Sequence, residues 1–223
     1  MVLIVLYLCK MYLVKIPWLI RKWYADFYWQ MPVQGKNMYL TFDDGPHPFA
    51  TPFVLQQLKR FGAKASFFCV GNNVKLYPEL VKQIRDEGHR LANHTMNHVN
   101  GWKVDDEHYL SDVLAAAELL PTGWFRPPYG RIRRSQFRKL SAVLPGIRVM
   151  MWDVLSGDFD QRLKGDTCAN NVINHAGPGS VVVFHDSTRA WERLEIALPQ
   201  VLDHFSREGY VFHALPDAAL MNQ

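Results

Sequence analysis

Short apolar runs alternate with amphipathic stretches from residue 38 to residue 214. A chain ordered strand, helix, strand, helix must lay its strands parallel, because each helix carries the chain back across the sheet before the next strand begins. The runs 38–42, 65–70, 90–93, 124–126, 147–154, 179–185 and 210–214 read as strands. The stretches 51–61, 78–87, 107–120, 135–142, 168–175 and 194–208 read as helices. Phe53, Val54, Leu55, Leu58 and Phe61 share one helical face, Thr51 stands as an N-cap with Pro52 in the first helical position, and Gly62 and Gly88 end their helices. About seven β-α units are countable. The expected fold is therefore α/β, a barrel or near-barrel of about seven parallel strands, rather than an open sheet.

A chain of 223 residues with 48% hydrophobic content can bury such a core as one domain, without disulfides or a structural metal. Cys9, Cys69 and Cys168 are odd in number and widely spaced, which suggests neither a disulfide framework nor a zinc knuckle. Cys69 lies in an apolar run and reads as a buried structural thiol. The net charge of +4 is mild and no block of like charges occurs, so nucleic acid is not an expected partner. The slight positive bias suits an anionic or polymeric glycan. No signal of oligomeric state is present.

Residues 1–35 stand apart as an apolar, aromatic-rich segment ahead of a domain at 36–220. Residues 1–9 are almost wholly apolar, yet Lys10 and Lys15 interrupt the stretch before the ~20 residues a membrane-spanning helix needs. A cleavable signal would place its basic residues first and a small-residue cleavage site after them, and neither is seen. The segment reads as a membrane-associated anchor, an apolar flap on the domain, or an extension upstream of a start at Met11. Trp18, Trp23, Tyr24, Phe27, Tyr28 and Trp29 suit a membrane interface and a core equally. Membrane association through residues 1–29 thus stays open, and it inclines the expected location toward the cell envelope rather than the cytoplasm.

The chemically loaded residues fall where strands end, the place such folds reserve for active sites. Asp43 and Asp44 follow the first strand and point to opposite sides of an extended chain. One could bind a metal while the other acts as a base. His94 and His98 stand at i and i+4, so that on a helical turn they would share a face and could meet one ion. With an Asp from another strand end they make a two-His, one-carboxylate set suited to hydrolysis. Arg126-Pro127-Pro128-Tyr129-Gly130 is a rigid turn. Its Tyr129 N–H could face an oxyanion, and Arg126 could orient a carboxylate. His185 emerges from a buried strand and suits a general acid, with Asp153 and Asp158 placed to tune it. His47 could line the cleft, whereas His89, His108, His175, His204 and His213 read as surface or structural. Standing alone, each motif would pass for a turn, a surface pair or a core histidine.

Together these motifs resemble the polysaccharide deacetylase family, also called the NodB homology domain or carbohydrate esterase family 4. Thr41-Phe42-Asp43-Asp44-Gly45-Pro46, His94-Thr95-Met96-Asn97-His98, Arg126-Pro127-Pro128-Tyr129-Gly130, Asp158-Phe159 and Val183-Phe184-His185 follow the family's five motifs in order, from about residue 36 to residue 215. The resemblance implies a distorted (β/α) barrel and a divalent metal, usually zinc with cobalt, manganese or nickel as substitutes, bound by Asp44, His94 and His98. It implies Asp43 as general base oriented by Arg126, the Tyr129 N–H as oxyanion donor, and His185 as general acid supported by Asp158. Pro127, Phe159 and Val183 would line the substrate groove. Phe159 stands where the family usually has Trp, and Val183 where it usually has Leu, so the substrate is less determined than the reaction. The activity implied is hydrolysis of N-acetyl groups from N-acetylglucosamine-type glycans, peptidoglycan or chitin-like oligomers. A lipid-linked aminosugar, an O-acetylated glycan such as xylan, and a catalytically silent glycan-binding module are the alternatives.

Overall fold

A computed structural model describes residues 12–221. The apolar run at 1–9, with Cys9, lies outside the described residues. Eight strands form one parallel sheet: β1 (Asn37–Asp43), β2 (Ala65–Cys69), β3 (Arg90–Asn93), β4 (Trp124–Phe125), β5 (Arg148–Val149), β6 (Val154–Leu155), β7 (Val181–His185) and β8 (Val211–Phe212). Seven run in the order β5-β4-β3-β2-β1-β7-β6, and β8 pairs the start of β1. The result is a half-barrel with helices packed outside it. Those helices are α1 (Trp18–Trp23), α2 (Ala50–Arg60), α3 (Gly71–Leu76), α4 (Pro78–Asp86), α5 (Asp106–Leu119), α6 (Arg134–Val143), α7 (Gly165–Ile173) and α8 (Trp191–Arg207).

The strand period of two sorts the two faces. Met38, Leu40 and Phe42 of β1 join Val182 and Phe184 of β7 in the core beneath α2, α7 and α8. Thr41 and Asp43, with Val183 and His185, therefore point inward. The register pairs Asp43 with His185 on adjacent strands. Phe68, Trp124, Met150 and Val181 fill the interior below them. Cys69 and Cys168 are free, buried thiols.

Two sequence expectations are corrected. The run 147–154 is not one strand but two, β5 and β6, on opposite edges of the sheet. Between them the carbonyls of Met150 and Met151 accept from the Arg126 guanidinium, at 3.0 and 2.8 Å, and the chain crosses the gap between the edges. An uninterrupted apolar run carries no mark of such a change of partner. Thr51 is not an N-cap either, because α2 begins at Ala50 with Phe49 ahead of it and no side-chain cap. The Thr51 hydroxyl instead accepts from the His47 N–H at 2.7 Å and donates to Asp186.

From Tyr12 onward the N-terminal segment lies against the domain. Ile16, Ile20, Tyr24 and Phe27 pack with buried Trp29 on the core under α5 and α6. Residues 14–16 run antiparallel along edge strand β6: the Leu155 N–H donates to Val14 O, and the Ile16 N–H to Asp153 O. Trp18, Leu19 and Trp23 face outward and are exposed. Among the described residues no helix is long and apolar enough to cross a membrane.

Candidate active site

Asp44 follows β1 with a left-handed backbone, φ 78°. Asn73 donates to its carbonyl at 2.7 Å, and the next residue, Gly45, donates its N–H to Asp186 at 3.1 Å. A Cβ on Gly45 would lie 2.1 Å from Asp186 Oδ2, so only glycine lets the turn sit on that carboxyl. Burial, reinforced by the charges of Asp44 and Asp43, pushes Asp186 up to about 8.

The two histidines converge without a helical turn, contrary to the sequence expectation. Residues 94–100 form an irregular loop after β3, in which Thr95 and His98 have φ of 66° and 55°. The loop is tied to Asp112 of α5, which accepts from the Met96 and Asn97 amides at 2.9 and 3.0 Å and from the Asn97 side chain. Asn93 accepts from the Thr95 N–H at 2.8 Å. Nothing in the motif itself announces Asp112. Its signal is position: it is the one charged residue on a buried stripe with Tyr109, Val113 and Ala116, where an acid needs a partner. Because these bonds orient the loop that carries His94 and His98, Asp112→Ala is expected to weaken metal affinity about 10- to 100-fold, measured by titration of metal-free protein. Unchanged affinity would remove Asp112 from this role.

His94 Nδ1 donates to Arg126 O at 2.8 Å, which leaves Nε2 as the free lone pair, 3.7 Å from Asp44 Oδ1. His98 Nε2 lies 3.1 Å from the same oxygen. The donor atoms of Asp44, His94 and His98 all lie within 4.8 Å of one another. Burial, aided by the nearby charges of His98 and Arg126, depresses His94 to about 4, so it is neutral and able to ligate at neutral pH. Burial alone would raise Asp44, but its bond to His98 and the charge of His185 hold it well below the usual carboxylate range. Two imidazole nitrogens and a carboxylate are a donor set that fits a divalent ion.

Arg126 is wholly buried, stacked 4.0 Å over Phe68, and its guanidinium meets Asp43 Oδ1 at 2.6 Å and Thr41 Oγ1 at 2.8 Å. With two carbonyls taking its other donors, it fixes Asp43 in one orientation. His185 Nδ1 meets Asp158 Oδ1 at 2.7 Å, and the second Asp158 oxygen accepts the His185 N–H. Burial opposes charge on His185. The Asp158 carboxylate, with Asp44 and Asp43, outweighs it and raises the imidazole to about 9. In metal-free protein the stabilisation from this raised group is complete below its ordinary 6.5 and is lost as pH rises through about 9. The gap in unfolding midpoint between the wild type and His185→Gln is expected to narrow across that window. A constant gap would contradict the charged pair.

Tyr129 has φ 60°, and its ring packs 4.8 Å from that of His98. Pro127 is buried and Phe159 is half-buried against His185. Val183 is buried on the inward face below His185. Asp153, considered beside Asp158 as a partner of His185, is not at the site. It binds Lys15, Ser180 and the Val181 N–H, because it precedes β6 rather than following it. His47 binds Thr188 at 2.8 Å, between the start of α2 and the loop after β7.

The family model for polysaccharide deacetylases matches residues 30–143. A peptidoglycan-N-acetylglucosamine deacetylase of Bacillus cereus is 34% identical over 191 residues, 82% of this chain and 88% of the relative. A chitooligosaccharide deacetylase of Bradyrhizobium sp. is 31% identical over 199 residues, 81% of this chain and 90% of the relative. Among solved structures, the Bc1960 peptidoglycan N-acetylglucosamine deacetylase in complex with 4-naphthalen-1-yl-N-oxidanyl-benzamide is similar at TM-score 0.81 and 30% identity, over 90% of this chain and 95% of that one.

Proposed function

The chain belongs to the polysaccharide deacetylase family, and on that premise we propose that it hydrolyses the N-acetyl groups of N-acetylglucosamine units in peptidoglycan or chitin-like oligomers. The observation that carries this reading is the register pairing of Asp43 with His185 at the mouth of the half-barrel, beside the Asp44–His94–His98 triad. A proton acceptor and a proton donor beside one ligand set are what amide hydrolysis requires.

A divalent ion held by Asp44, His94 and His98, zinc in our reading, would polarise the acetyl carbonyl and acidify the attacking water. Asp43, held by Arg126, takes the proton from that water as its oxygen bonds to the acetyl carbon. The Tyr129 N–H serves as a donor to the oxygen that gains charge. An amine is a poor leaving group as an anion. His185, kept protonated by Asp158, therefore delivers a proton to the nitrogen as the C–N bond breaks, leaving acetate and a free amino sugar.

The test is acetate release from acetylated chitooligosaccharides and peptidoglycan, with O-acetylated xylan and a lipid-linked N-acetylglucosamine as the other arms. Release from the first two is expected. Activity confined to O-acetyl esters or to the lipid-linked sugar, or glycan binding without any release, would overturn the reading.

A further inference from the structure

The acid side of the cleft is braced by a segment that supplies no reacting group. Residues 14–16 pair along β6, and Lys15 Nζ meets Asp153 at 2.6 Å. At the head of this strap the Tyr12 ring lies 4.9 Å from the Phe159 ring. Phe159 in turn packs edge-on to His185, 5.3 Å between centroids. Phe159 therefore stands between Tyr12 and the proposed acid.

The contact is built rather than incidental. The Tyr12 hydroxyl lies beside Asp160, which is itself buried and clamped by Arg162 at 2.8 and 2.6 Å. Gly157, at φ +83°, leaves room for that hydroxyl, since a Cβ there would lie 2.6 Å from it. Arg189 donates to Phe159 O at 2.9 Å, and Arg193 to Asp158 O at 2.8 Å. One short loop thus carries both the partner of His185 and the aromatic wall, and Tyr12 is the ring that closes on it from the N-terminal side.

We propose that Tyr12 is a positioning residue for deacetylation, fixing Phe159 as the wall beside His185 on which the sugar next to the scissile amide packs. This rests on the deacetylase reading above. The apolar C–H faces of a sugar ring pack on an aromatic face, and a wall held in one rotamer does not have to be ordered when substrate binds. Removing Tyr12 leaves Asp158 on His185, so the loss falls on binding rather than on proton delivery.

The experiment is steady-state acetate release from tetra-N-acetylchitotetraose by the full chain, for wild type, Tyr12→Ala, Tyr12→Phe, Phe159→Ala and the Tyr12→Ala/Phe159→Ala pair. Tyr12→Ala is expected to raise KM about fivefold with kcat within about twofold, and Tyr12→Phe, which keeps the ring, to restore KM to within about twofold. In the Phe159→Ala background the Tyr12→Ala effect is expected to fall below about twofold, since the two act through one wall. An unmoved KM in Tyr12→Ala, or an undiminished effect in the double variant, overturns the proposal. Wild-type protein that releases no acetate would instead overturn the deacetylase reading. Should the alanine variant not fold, Tyr12→Leu keeps the bulk without the ring and is read by the same criteria.

Discussion

Asp43→Asn is expected to keep its bound metal while acetate release falls by about 10²- to 10⁴-fold, the usual contribution of a general base. The carboxylate sits 2.6 Å from Arg126 and is not among the three triad donors. An amide of the same shape can still accept from the guanidinium, so the pair is weakened rather than broken. That matters for folding, because removing one partner of a buried ion pair outright costs about 3–5 kcal/mol. What Asn cannot do is take a proton from water. Metal analysis beside acetate release checks both halves, and an Asn variant with full turnover would remove Asp43 as the base.

His94→Ala should fail in the opposite way, losing the metal first and the activity with it. Its Nε2 is one of three donors, and the two that remain, Asp44 and His98, make a poor chelate. Metal binding to the folded state adds about 4 kcal/mol of stability when free metal exceeds Kd by ~1,000-fold. The wild type should therefore show a metal-dependent rise in unfolding temperature that His94→Ala lacks. Chelator treatment of the wild type should reproduce the loss of activity, and added metal should reverse it. One equivalent of metal retained by His94→Ala, or full activity in chelated wild type, would refute the triad.

The site was legible where the chain obeys a simple period. Asp43 closes a strand whose alternate residues Met38, Leu40 and Phe42 are apolar, so its inward direction follows from the pleat, whereas His185 closes a run apolar on both faces and is set beside Asp43 by the register. Asp44 and Arg126 are marked by the Gly-Pro and Pro-Pro turns around them. The geometry of the His94–His98 loop was not legible, because i and i+4 spacing suggests a helix and only the ties to Asp112 and Asn93 impose another path. The division of 147–154 was hidden for a related reason. Apolar patterning reports burial, and the identity of the strand alongside is decided by tertiary contacts such as those of Arg126. The brace formed by Tyr12 was also out of reach, since an aromatic residue ahead of a domain gives no sign of what it will touch.

Asp44, Thr95, His98 and Tyr129 are the four non-glycine residues with positive φ among those described, and all four belong to the site or its loops. Each such conformation costs on the order of 1–2 kcal/mol, which the surrounding framework must repay. In these terms the half-barrel is a loaded scaffold, whose spare stability is spent where the chemistry happens. Asp44, His98 and Tyr129 cannot be relaxed to glycine without surrendering a proposed ligand or a ring. Thr95 carries no proposed chemical duty, and its buried hydroxyl accepts only a long bond from the Val99 N–H, 3.3 Å, so a protein engineer seeking a hardier catalyst would begin there, at the strained joint whose side chain the chemistry does not use.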